Sequence, residues 1–112
     1  MQYCGKTDVG MKRTVNQDNF SIKEYAPGIL LAVVCDGMGG AKSGNIASSL
    51  AIDVFVQGVK RGHHGSMDSE AVGQLLERAV KLANFTVYDQ SQQIPEFSGM
   101  GTTLVAVLLL TI

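Results

Sequence analysis

Apolar and polar positions alternate from Phe20 to Tyr25, the pattern of a strand with one buried face. Ala26-Pro27-Gly28 then forms a turn, and Ile29 to Cys35 follows with almost nothing polar. Such a run predicts a strand buried on both faces and paired with its predecessor as a hairpin. From Ile46 the period changes. Ile46, Ala47, Leu50, Ala51, Val54, Phe55 and Val59 recur at helical spacing and draw one apolar stripe. Ser43 is the candidate N-cap of this helix and Gly62 its predicted stop. His63-His64-Gly65-Ser66 is a polar connection, and Asp68 or Ser69 can cap a second helix. Its stripe is Val72, Leu75, Leu76, Ala79, Leu82, Ala83 and Val87.

Gln90 to Ser98, interrupted by Pro95, is predicted to be a loop, and Gly99 to Thr103 leads into a last strand, Leu104 to Ile112. That strand is apolar at nearly every position. It is expected in the middle of a sheet, covered on both faces and paired on both edges. Gln2 to Val9 supplies a plausible first strand, and Gly10 to Asp18 a polar loop. Strands joined by short connections, with two helices coming together, predict an α+β fold: an antiparallel sheet with the helix pair on one face. Because so apolar a strand ends the sequence, the chain is expected to be the first part of a longer domain. The missing pairing partner would then come from elsewhere or from another chain, and association of copies through this strand is one way to meet the need.

Composition narrows the class. At 112 residues, 46% apolar and 17% charged, the chain is one globular domain or part of one. A net charge of −1 offers no basic field for nucleic acid or an anionic membrane. No apolar run approaches the roughly 20 residues of a membrane span. MQYCGKTDVG lacks the charged and apolar regions of a signal peptide. Cys4 and Cys35 are therefore read as reduced thiols in a cytoplasmic protein.

The candidate chemistry lies where apolar runs stop. Val33-Val34-Cys35 ends in Asp36, followed by Gly37-Met38-Gly39-Gly40, whose glycines let the backbone approach a ligand. Two further polar groups fall near strand ends: Thr7-Asp8-Val9-Gly10 with Arg13, and Asn16-Gln17-Asp18. Carboxylates and an exposed carbonyl suit a hard divalent cation, and an arginine fork can grip two phosphate oxygens. A cation beside such an arginine describes phosphoryl chemistry. An aspartyl nucleophile at Asp36 is the rival mechanism. It usually wants a second acid two residues later, where Met38 stands, and a parallel sheet, which the hairpin opposes. The remaining reactive types read as structural. His63 and His64 are adjacent loop residues, Cys35 is a buried thiol, and Met38 and Met100 pack within glycine-rich turns.

TDVGMKRTVNQD, VVCDGMGG and GMGTTLVAVLL, in this order, resemble the N-terminal portion of the protein phosphatase 2C family, the metal-dependent serine/threonine phosphatases. The glycine loop with Met38 looks most like the bacterial branch. The resemblance implies an αββα sandwich, two packed antiparallel sheets flanked by helix pairs, with two Mn²⁺ or Mg²⁺ ions between the sheet ends. Residues 1–112 would be a partial catalytic domain without its C-terminal half. By position, Asp36 resembles the aspartate bridging the two metals, and Gly37 the glycine that gives one of them its carbonyl. Asp18 looks like the acid that holds a metal-bound water, Arg13 like the phosphate-binding arginine, and Asp8 like a supporting acid. The implied reaction is direct attack of water on phosphoserine or phosphothreonine in proteins phosphorylated by a serine/threonine kinase. The family places further metal-binding aspartates in its second half, so this chain alone is expected to bind the ions weakly and to have little activity. A truncated, non-catalytic fragment that self-associates through its open strand edge is the alternative.

Overall fold

The computed structural model describes residues 18–40 and 42–110. The predicted first strand, the loop bearing Arg13, Cys4 and the last two residues lie outside that range. The elements run β1 (Asp18–Ala26), β2 (Ile29–Met38), α1 (Ser43–Gly62), α2 (Ser69–Gln93), a 3₁₀ turn (Pro95–Phe97), β3 (Gly101–Thr102) and β4 (Val105–Leu110). Among the described residues, the order of hairpin, helix pair and final strand and the α+β class are those expected from the sequence.

β2 is the centre of the sheet. β1 pairs antiparallel along one edge, from Asp18 opposite Asp36 to Ala26 opposite Ile29. Gly28 turns the hairpin with φ 75°, a left-handed conformation that glycine adopts at little cost. β4 pairs antiparallel along the other edge, from Ile29 opposite Leu110 to Val34 opposite Val105. β3 continues the same line, with Gly37 opposite Thr102 and Met38 opposite Gly101. All these pairings are antiparallel, against the parallel sheet that the aspartyl-nucleophile alternative calls for.

Side chains alternate along a strand, so β2 sends Leu31, Val33 and Cys35 to one face and Ala32, Val34 and Asp36 to the other. α1 covers the first face. Phe55 and Val59 are fully buried there with Val33 and Cys35, and Ala47 and Ala51 let the helix come close. α2 packs chiefly on α1 through Leu75, Ala79, Ala83 and Val87. At Gly58 an added Cβ would lie 3.4 Å from that of Ala79, so the helices are close-packed there.

Four sequence expectations are corrected. β2 is not buried along both faces: on the face away from the helices Leu30 is buried but Val34 is 54% exposed. β4 is not a covered central strand either, with Val105 67% and Val107 57% exposed, and among the described residues nothing pairs with its outer edge. An apolar run reports a tendency to be buried without saying what buries it. Ser43 is the first helical residue rather than a side-chain cap. Its hydroxyl donates to the Gly40 carbonyl at 2.7 Å, closing the glycine turn. Finally, α2 continues to Gln93, because Gln90-Ser91-Gln92-Gln93 is compatible with helix and only Pro95 forces Ile94 into an extended conformation. Asp68, one of the two predicted caps, accepts from the Ala71 amide at 2.8 Å. No described helix is long and apolar enough to cross a membrane.

Candidate functional site

Asp36 sits near the end of β2, and the hairpin register places Asp18 directly across from it. Residues directly opposite on antiparallel strands share a face, so both carboxylates emerge on the face that the helices leave uncovered. Like charges so placed repel one another, which a cation between or beside them relieves.

Asp36 uses its backbone groups on the side away from β1. The Thr103 amide donates to the Asp36 carbonyl at 3.0 Å, and the Asp36 amide donates to Thr103 Oγ1 at 3.0 Å. Backbone groups alternate sides along a strand, so the Gly37 carbonyl turns toward the β1 edge, where Asp18 lies. Two carboxylates and one carbonyl thus gather at one corner of the sheet. All are oxygen donors, the chemistry that Mg²⁺ and Mn²⁺ prefer. Among the described residues no group of three or more His, Cys, Asp or Glu side chains forms a complete cation site.

Both strands are held at this corner. Next to Asp18, Asn19 points to the helix face and its Nδ2 donates to Asn45 Oδ1 at 2.8 Å and to the buried Ser48 Oγ at 2.6 Å. Beyond Gly37, Gly39 has φ 153°, and an added Cβ would crowd Ser43, Gly44 and Met100, so only glycine fits this turn. Asn19 and Thr103 escaped the sequence reading. The available signals were an Asn inside a strand, where that residue type is depleted, and a Thr placed just before an apolar run.

Of the expected site residues, the structure brings Asp18, Asp36 and Gly37 together, whereas Arg13 and Asp8 lie outside the described residues. The other reactive groups are elsewhere. Cys35 is fully buried on the helix face, and burial pushes its thiol pKa up, opposed in part by a hydrogen bond with Thr102. His63 meets the Tyr25 ring edge-on at 6.5 Å, while His64 Nδ1 bonds Ser66 Oγ at 2.8 Å, so the two imidazoles do not converge. Met100 is buried, and Met38 lines a groove of about 410 Å³ between α2 and β3.

Comparison with known proteins gives this corner a lineage. A phosphatase 2C-type protein of Streptococcus pyogenes is 37% identical over 110 residues, which cover 97% of this chain and 43% of that one. The serine/threonine phosphatase of S. agalactiae superposes with a TM-score of 0.80 at 29% identity, over 95% of this chain and 43% of that one. The catalytic domain of the serine/threonine protein phosphatase PstP, solved in complex with two manganese ions, superposes with a TM-score of 0.73 at 29% identity, over 95% and 42%. The chain therefore spans less than half the length of these relatives. The family model described as Protein phosphatase 2C matches residues 10–111. With that match running through the acid pair and the glycine turn to the end of the sheet, the chain belongs to the protein phosphatase 2C family.

Proposed function

We propose that the protein hydrolyses phosphoserine and phosphothreonine in other proteins in a Mn²⁺- or Mg²⁺-dependent reaction, and that this chain supplies the acid pair and the phosphate-gripping side of the site. The carrying observation is the placement of Asp18 directly opposite Asp36 on the uncovered sheet face. The donor set suits a hard cation, and PstP, a relative of similar fold, was solved with two manganese ions.

Asp36 and the Gly37 carbonyl would hold the ions, which, when bound, supply an activated water and offset charge on the phosphoryl oxygens. Asp18, across the strand pair, would accept a hydrogen bond from that water and set its direction. Arg13 grips the phosphate as a fork and offsets its negative charge, with Asp8 in a supporting place. As the water oxygen bonds to phosphorus, the bond from phosphorus to the ester oxygen breaks, and the proton given up by the attacking water balances the one that the departing oxygen takes up. Met38 has no proton to give, so its thioether is excluded as the acid. The substrates would be products of a serine/threonine kinase, and the setting the cytoplasm.

The test is Mn²⁺-dependent hydrolysis of p-nitrophenyl phosphate and of phosphoserine peptides. With only Asp36 and Gly37 as direct ligands, the 112-residue chain is expected to turn over slowly, and Asp36→Ala to abolish what remains. Turnover that survives Asp36→Ala, or that ignores EDTA, defeats the proposal. The outer edge of β4 favours a second reading, association of two copies through that strand.

A further inference from the structure

The line of pairing along β2 places Thr103 opposite Asp36, in the gap between β3 and β4. In a regular antiparallel ladder two such residues exchange both backbone hydrogen bonds. Here only one is regular, the Thr103 amide to the Asp36 carbonyl at 3.0 Å. In place of the second, Thr103 Oγ1 accepts from the Asp36 amide at 3.0 Å. The displaced Thr103 carbonyl is taken up by the hydroxyl of Thr102, which donates to it at 2.8 Å. Two adjacent threonine hydroxyls thus splice a side chain into the ladder at the residue that carries the acid.

We propose that Thr103 is a positioning residue for the cation site, its hydroxyl fixing the backbone of Asp36 so that the carboxylate and the Gly37 carbonyl face one ion. The proposal rests on the metal-dependent reading of Asp36 and Gly37. A hydroxyl held by its own backbone is a short, stiff partner. Anchored through both its amide and its carbonyl, Asp36 keeps one orientation at a strand end that would otherwise fray. Thr102 is part of the device, because it satisfies the carbonyl that the splice leaves over. Cations held by oxygen donors need those donors preset, since ordering them at the moment of binding costs affinity.

Mn²⁺ titration of the chain, followed by paramagnetic broadening of its amide signals, reads both where the ion binds and how tightly. Broadening is expected to centre on Asp18, Asp36 and Gly37. Thr103→Val keeps the side-chain shape and loses the acceptor, and it should raise the Mn²⁺ concentration required by about 10- to 100-fold. Thr103→Ser restores the hydroxyl and should return the affinity to that of the wild type, a rescue that a purely packing role would not give. The Asp36 amide should exchange slowly with solvent in the wild type and in Thr103→Ser, and fast in Thr103→Val. If Thr103→Val fails to fold, Thr103→Ala takes its place with the same expected losses.

Wild-type Mn²⁺ affinity without the hydroxyl overturns the proposal, as does an Asp36 amide unprotected in the wild type. In those cases Asp36→Ala still abolishes binding, and the site reading stands. A wild type that takes up no Mn²⁺, or an Asp36→Ala variant that still takes it up at the same amides, overturns the site reading and the role of Thr103 with it.

Discussion

The two faces of one sheet follow different rules. On the helix face, Leu31, Val33 and Cys35 of β2 are almost wholly buried against α1. On the other face, Val34 of the same strand is half exposed, and Val105 and Val107 of β4 lie beside it in a row that leads to Asp36 and Asp18. Alternation along a single strand therefore separates the residues that hold the fold from the face that carries the two acids. Substitutions a single position apart in sequence should have unrelated consequences.

Phe55 sits at the centre of the helix face, fully buried, so the largest effect is expected there. Phe55→Ala should cost about 3–5 kcal/mol in urea unfolding. Leu50, which the stripe alone marks as core, is only partly buried, and Leu50→Ala should cost about 2 kcal/mol, the low end of that scale. Equal losses at the two positions would show that burial in this structure does not rank the core.

On the open face the first effect to measure is that of the cation. Binding to the folded chain alone raises its stability, and Mn²⁺ at about ten times its Kd should add about 1.4 kcal/mol. That gain should vanish in Asp36→Ala and persist in Phe55→Ala, measured well below the melting temperature of each variant. A gain retained without Asp36 would place the ion elsewhere.

High pH should act on the helix side. Burial raises the pKa of Cys35, and also that of Tyr25. As pH climbs through the ordinary thiol and phenol ranges, about 8.5 to 10, the unfolded chain releases protons that the folded chain retains. Stability is thus complete below that range and declines above it. Cys35→Ala should remove the earlier part of the decline, leaving the part due to Tyr25. A flat profile in the wild type to pH 10 would contradict the burial of Cys35. The smallest expected change is Val107→Ser on the open face, within about 0.5 kcal/mol of wild type. Its readout is association: light scattering should show less self-association than in wild type if copies meet through β4. An unchanged mass would remove that second reading.

The helix stripes were legible because period 3.6 and the turn residues agree over many positions, as at Phe55 and Val59 on α1, although Leu82 of the α2 stripe is 52% exposed. The acids were legible as types and positions, Asp36 before its glycines and Asp18 at the end of a polar loop. Their pairing was not, because it depends on the exact register of a hairpin whose turn is set by Pro27 and Gly28. The exposure of Val105 and Val107 was also hidden, since composition records what a residue prefers and not which layer is present to cover it. Thr103 was invisible for a third reason. Its hydroxyl matters only through a ladder bond that the neighbouring carbonyl would ordinarily make.

Asn19 carries one more lesson. Through Asn45 and Ser48 it fastens the first turns of α1 to the backbone beside Asp18. Helix and acid are in effect one mechanical piece, and a tug that slides the start of α1 along the sheet drags that carboxylate with it.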